Sequence, residues 1–383
     1  MRMVEWKKLT SVSDVLYGYP FESSLFTDDS NYIPLIRIRD IKPAKASTYY
    51  TGSILDDYII KKGDILVGMD GEFNLGKWGD RDGLLNQRVL KLKGKKTECV
   101  NGYLYHYLGP LFKKIEKETP GGSVKHLSAK IIKEIVIPIP SLPEQQRIVE
   151  QLDTFTSSIE NLKEQIDQRR KQYEYYRDQL LDLEGKEGVE MKTLGDFGDV
   201  TKLAGFEFTE HVIYKEEGKI IALRGLNVRN GNLDLSQIKY IDGSNFEKLG
   251  RSKLLINDML FTYVGTIGNV ALINEDDKYY LAPNVSRIRF DCNVIIPRFA
   301  LYVFMSEYFH RTQINKFLNS SSMKNLSMEN IRKFKLPIPP LSEQQRIVSI
   351  LDTFEASIRN LEQQLAQREK QYEYYRNKLL TFE

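Results

Sequence analysis

Cysteine and histidine are scarce in this chain, with two cysteines (Cys99 and Cys292) and four histidines (His106, His126, His211 and His310) in 383 residues. Each cysteine stands alone, without a second thiol or a histidine cluster nearby. This excludes a disulfide framework and the usual zinc-ligand spacings. Long apolar runs are missing too. No stretch of about 18 apolar residues is present to cross a bilayer, Met1–Thr10 has no signal-peptide core, and mean hydropathy is −0.40. The expected location is the cytoplasm. Also absent are a Gly-x-x-x-x-Gly-Lys-Ser/Thr loop for ATP, a glycine-rich cofactor turn and the Asn-Pro-Pro or Asp-Pro-Pro element of an amino-methyltransferase. Net charge is only +3, far from the footprint of a stand-alone basic DNA binder.

What is present is a repeat. Pro138–Leu181 aligns without a gap onto Pro337–Leu380, 199 residues later, and 30 of 44 positions are identical. Unrelated segments would agree at about one position in fifteen or twenty, so the duplication outranks any local motif. In the first copy the apolar seam runs through Ile148, Leu152, Phe155, Ile159, Leu162, Ile166, Arg169, Tyr173, Tyr176 and Leu180. In the second it runs through Ile347, Leu351, Phe354, Ile358, Leu361, Leu365, Arg368, Tyr372, Tyr375 and Leu379. Steps of four and three alternate throughout, which is a heptad pattern. Both seams carry one arginine at the same place, a device that lowers stability but pins register and mate. A helix over 144–181 would be roughly 57 Å long. Ser141 with Glu144, and Ser342 with Gln345, fit capping boxes one residue out of step. Pro138, Pro140, Pro337, Pro339 and Pro340 block extension upstream, and Gly185 and Gly188 close the first helix. A plain dimerisation coiled coil is the alternative to pairing within the chain.

Charge divides by segment. Residues 1–140 hold 22 basic against 17 acidic groups (+5), and 185–339 hold 21 against 18 (+3). The helical segments 141–184 and 340–383 hold 6 against 10 (−4) and 6 against 7 (−1). Positive charge therefore sits on the two globular segments, a balance compatible with a polyanion partner.

Those segments repeat more loosely. Their openings, Val4–Leu9 and Val189–Leu194, lie 185 residues apart while their ends lie 199 apart, so the second carries 14 more residues. Between these landmarks Ile36–Arg39 is read as a strand matching Ile221–Arg224, and Lys62–Val67 matches Ile256–Phe261. Gly71 matches Gly265, Arg88 matches Arg287, and a helix at Tyr103–Leu108 matches Tyr302–Tyr308. Short strands with few helices predict α+β units. Late in each comes a small-residue turn with a lysine, Gly121–Ser128 and Ser320–Ser327, able to bring amides and an ammonium to phosphate; an ordinary surface turn is the alternative. Asp64, Asp70, Glu72 and Lys77 form the best nuclease constellation, but the second copy keeps only Asp258; solvated turn charges are the alternative there.

A globular unit, then Pro-Ile-Pro, then Glu144-Gln145-Gln146-Arg147-Ile148 opening a long helix, with Glu343-Gln344-Gln345-Arg346-Ile347 repeating it, resembles the specificity subunit of type I restriction-modification systems. The resemblance spans the full chain and is most specific at these doubled segments. It implies target recognition domains over 1–140 and 185–339, with spacer helices over 141–184 and 340–383. It also implies a non-catalytic subunit that reads a bipartite, asymmetric double-stranded DNA target. The partners implied are two copies of a methyltransferase subunit holding S-adenosylmethionine, and restriction subunits that use ATP and Mg; the chain itself would carry no cofactor or metal. A stand-alone nuclease and a coiled-coil scaffold are the competing readings. The scaffold explains the helices but gives the unlike basic units no purpose.

Candidate DNA contacts are Arg37, Arg39, Arg88, Ser123 and Lys125 in the first unit and Arg224, Arg287, Ser322 and Lys324 in the second. Inward-facing arginines satisfied by protein carboxylates or carbonyls are the competing account. Candidate partner-binding residues are Glu144, Gln145, Gln146, Arg147, Glu343, Gln344, Gln345 and Arg346, with helix capping and local pairing as their plainer role. Chain connectivity predicts antiparallel helices relating the two units by a pseudo-twofold axis.

Overall fold

The computed structural model describes residues 4–119, 125–203, 210–318 and 325–382. Its internal contacts divide it into two units, residues 1–163 with 363–383, and residues 164–362. Two 40-residue helices, Leu142–Leu181 and Leu341–Leu380, each begin in one unit and finish in the other.

In unit one, a four-stranded antiparallel sheet has the order Ser13–Tyr17, Val89–Gly94, Ile65–Gly68, Leu75–Lys77. A second sheet joins Ile33–Ile36 in parallel to Gly83–Leu85. The opening strand Glu5–Lys8 pairs with Val136–Ile139, so the first and last strands of the globular part lie side by side before the long helix departs. Unit two repeats this frame. Gly198–Lys202, Val285–Phe290, Met259–Thr262 and Val270–Leu272 form the four-stranded sheet, Ile221–Leu223 runs parallel to Tyr279–Leu281, and Glu190–Thr193 pairs with Lys335–Ile338. Ile65–Gly68 and Met259–Thr262 are buried on every residue and correspondingly rich in Ile, Leu, Val and Phe.

Strand register corrects three of the sequence matches. Val89 opposes Gly68, and Val285 opposes Thr262. The equivalent of Arg88 is therefore Asn284, 196 residues on, and both hold the same left-handed φ of 71° just before the strand. Arg287 lies inside its strand and corresponds to Lys91. Likewise Ile36–Arg39 is not a strand. The strand ends at Ile36, Arg37 caps the short helix Ile38–Ile41, and its N–H donates to the Asp40 carboxylate at 2.9 Å. Arg224 does the same through Asn227 at 3.1 Å, so its equivalent is Arg37, not Arg39. The helices Asn101–Glu118 and Pro297–Met305 also match at 196, since Val100 and Ile296 occupy the same bonded position.

The helices start in step, at Leu142 and Leu341. In the second, the Pro340 carbonyl accepts from the Glu343 and Gln344 amides, so Ser342 lies inside the first turn and forms no capping box with Gln345. Pairing is antiparallel within each unit. In unit one, Phe155 stacks on Tyr375 at 5.2 Å and Lys163 lies 3.3 Å from Glu369. In unit two, Tyr176 stacks on Phe354 at 5.5 Å and Arg170 lies 2.6 Å from Glu362. The seam arginines face rings of the opposite helix, Arg368 over Phe155 and Arg169 over Phe354. The start of each seam is domain core. Ile148 and Leu152 are fully buried in unit one and Ile347 and Leu351 in unit two, joined there by Tyr372 and Leu379 and by Tyr173 and Leu180 respectively. Burying such a leucine contributes about 1.5–3 kcal/mol, so each helix is welded to a globular part as well as to its mate.

Candidate nucleic-acid interface

Three of the arginines singled out from the sequence line one concavity of unit one. Arg37, Arg39 and Arg88 surround a depression of about 430 Å³ together with Ile38, Glu72, Asn74, Asn86 and Gln87. The local chain explains their convergence. Arg37 follows a strand that is parallel to Gly83–Leu85, and the Asn86 amide continues that pairing by donating to the Ile36 carbonyl. Arg39 is the second residue of the short helix, its guanidinium donating to the Ser47 and Thr48 hydroxyls at 2.9 and 2.7 Å. Arg88 projects from its left-handed residue with a half-exposed side chain, its Nε 3.3 Å from Asp70. Asp70 also receives His126. The turn carrying Asp70 needs Gly71, whose φ is +72° and whose amide donates to the Lys125 carbonyl.

The nuclease carboxylates are all answered by cations. Asp64 meets Lys91 at 3.3 Å, Asp70 meets Arg88, and Glu72 meets Lys42, which holds its carboxyl below the ordinary range. Lys77 lies 3.6 Å from Asp153 on the long helix. Among the described residues, no group of His, Cys, Asp and Glu is arranged to hold a metal.

Other site residues fall elsewhere. The Lys125 ammonium donates to the Glu116 carbonyl and so closes the end of the Asn101–Glu118 helix. Ser123, Ser322 and Lys324 lie outside the described residues. In unit two, Arg224 donates to the Gln237 carbonyl at 2.9 Å while its Nε is buried without a partner. Arg287 is a correction, because only 7 % of it is exposed and it is tied to Asp199 across the sheet. A buried, paired guanidinium holds strands together and does not meet phosphate. At the positions equivalent to Arg37, Arg39, Asp70, Glu72, Asn86, Gln87 and Arg88, unit two has Arg224, Leu226, Val264, Thr266, Ala282, Pro283 and Asn284. One frame thus presents two different surfaces.

A family profile described as "Type I restriction modification DNA specificity domain" matches residues 2–169 and 186–370. The chain belongs to this specificity family. The EcoBI specificity subunit of Escherichia coli is 28% identical over 94% of this chain and 81% of its own length. The EcoR124I/EcoR124II specificity subunit, also of Escherichia coli, is 28% identical over 87% and 84%. The fold is shared with the crystal structure of the S subunit from M. genitalium, with a TM-score of 0.64, 17% identity and coverage of 100% of this chain and 97% of that one. Specificity subunits are the non-catalytic components of their systems, so the role of this family member is DNA sequence specificity and not chemistry.

Within this specificity chain the helix starts are sharply differentiated. Glu144 grips Arg147 through two bonds of 2.8 and 2.7 Å, and Glu343 grips Arg346 through two of 2.8 Å. These clamps reach the surface, as do Gln146 and Gln345. Gln145 and Gln344 are corrections to the partner-binding set, because neither has any exposed surface. Gln145 accepts from the Val100 amide at 2.9 Å and donates to the Glu98 and Pro140 carbonyls. Gln344 does the same with Ile296, Val294 and Pro339. Each amide fastens helix to domain.

Proposed function

We propose that the two units read the two unlike halves of an asymmetric, bipartite double-stranded DNA target, while the helix starts dock two copies of a methyltransferase subunit. The observation that carries the reading is the contrast between frame and surface. Strand register, capping residues and buried glutamines repeat from unit to unit, whereas Arg37, Arg39 and Arg88, which line the concavity of unit one, give way to Arg224, Leu226 and Asn284 at the equivalent positions of unit two. Two equal frames suit two copies of one protein partner, and two unequal surfaces suit two different sequences. Arg37 and Arg39 would position unit one on phosphate, with Arg224 serving unit two. Glu144, Gln146 and Arg147, with Glu343, Gln345 and Arg346, are the surface left for the partner. S-adenosylmethionine belongs on the methyltransferase, and ATP and Mg on restriction subunits reached through it.

The test is to co-express the full chain with its methyltransferase subunit and map modified bases across a genome. Two short, unlike half-sites separated by a gap of unspecified sequence are expected. A continuous or palindromic target would overturn the reading.

A further inference from the structure

We propose that the residue just before the strands Val89–Gly94 and Val285–Phe290 is a base-reading position in each unit. Arg88 selects a G·C pair in one half of the target, and Asn284 selects an A·T pair in the other; this rests on the two-half reading above. The equivalence is structural. Both residues have φ of 71°, both precede the strand whose first residue is a buried valine, and both follow an amide that extends the parallel pairing, Asn86 to Ile36 and Ala282 to Leu223. A left-handed conformation is disfavoured for a long side chain, yet unit one keeps an arginine there and exposes it. The backbone fixes where the side chain starts and leaves its identity free.

The chemistry around Arg88 separates base from phosphate. Asp70 lies 3.3 Å from its Nε and Glu72 lines the same concavity. Carboxylates so close to the Arg88 guanidinium oppose the full charge of a phosphate at that side chain more strongly than they oppose the uncharged edge of a base. With Nε turned to Asp70, the two terminal nitrogens remain together, the geometry that meets guanine O6 and N7 as a pair. Arg39 has no such freedom, since its Nε and one terminal nitrogen are held by Ser47 and Thr48. Asn284 has no charge to offer phosphate, is exposed, and makes no side-chain hydrogen bond among the described residues. Its amide matches adenine N6 and N7.

The experiment maps modified bases for the full chain with its methyltransferase, as wild type, Arg88→Asn, Arg88→Lys and Asn284→Arg. Arg88→Asn should replace or relax one guanine in a single half-site, removing a preference of roughly ten- to a hundredfold, and leave the other half unchanged. Arg88→Lys should relax the same position while keeping its charge. Asn284→Arg should move one adenine toward guanine in the opposite half, so a failure of unit one to tolerate substitution leaves a second measurement. The proposal is overturned if all variants keep the parent sequence and the Arg88 changes lower occupancy at every site alike. It is also overturned if Arg88→Asn alone reduces the salt slope by about one, the mark of a phosphate contact. A wild type that marks no two-part sequence refutes the function proposed above instead, so the two failures are distinct.

Discussion

His106 is fully buried between the domain and the helix pair of unit one, with Nε2 2.8 Å from Asp153 and Nδ1 3.0 Å from the Tyr372 hydroxyl. The neutral tautomer with its proton on Nε2 satisfies both partners. Burial holds the imidazole pKa below its ordinary 6.5, and the Asp153 hydrogen bond pulls the other way without winning. A base whose pKa is lowered by folding takes up its proton more readily when unfolded. The stability it contributes is present above about pH 6.5 and is lost as pH falls through the lower folded value. Unit two places Tyr302 at the same site, where its hydroxyl donates to Asp352 at 2.5 Å and Arg298 adds a second bond. Burial pushes the Tyr302 phenol up and away from this range, while His310 elsewhere in unit two is lowered by burial as His106 is. Thermal midpoints should therefore fall from pH 7 to pH 5, and His106→Gln should flatten part of that slope. An unchanged slope in the variant would mean that other groups carry it.

The elements themselves were largely legible, and the reason is physical. A heptad sustained through ten seam positions has no stable alternative to a long helix, and the duplication announced a second one in step with it. What the sequence concealed was register inside the globular units. Their 14 extra residues enter in five places, taking the offset from 185 at the first strand through 187 at Arg37 and Arg224, 194, 195 at the strand Leu75–Lys77, and 196, to 199. Matching Arg88 to Arg287 by a single offset therefore paired a surface residue with a buried one. The left-handed turn that identifies Arg88 with Asn284 is signalled only in unit two, where asparagine favours it; arginine gives no such signal in unit one. Gln145 was misread for another reason. A polar residue between Glu144 and Gln146 reads as surface, yet this amide fills three backbone bonds that would otherwise stand buried and open. Gln145→Leu should then cost about 2–4 kcal/mol, and Gln344→Leu a similar amount. Denaturation of the isolated chain measures it. Unchanged stability with lost assembly would return these residues to the partner surface.

Across the whole molecule, the two helices are nearly the same sequence, so the question is why each chooses the other. The aromatic contacts do not choose. Phe155 on Tyr375 and Tyr176 on Phe354 exchange equivalent residues, and a second copy of the first helix would offer Phe155 and Tyr176 just as well. The seam arginines are equally indifferent. Charge does discriminate. Lys163 meets Glu369 and Arg170 meets Glu362, but position 369 corresponds to Arg170 and position 362 to Lys163. Two copies of the first helix would set Lys163 against Arg170 twice, and two copies of the second would set Glu362 against Glu369 twice. Each pair is half-exposed and worth no more than about 1 kcal/mol, so the preference is modest and weakens with salt. A chain ending at Glu184 keeps unit one's globular part and the first helix. It can restore the missing core contacts by lending Tyr173 and Leu180 of a second copy where Tyr372 and Leu379 packed. We expect a weak homodimer from this fragment, and a tighter one from the same fragment with Lys163→Glu, which turns both clashes into ion pairs. Sedimentation at low salt should show the Kd falling roughly tenfold, with the gain shrinking as salt is raised. If Lys163→Glu leaves the fragment's association unchanged or weaker, charge at these two positions does not decide which helix pairs with which.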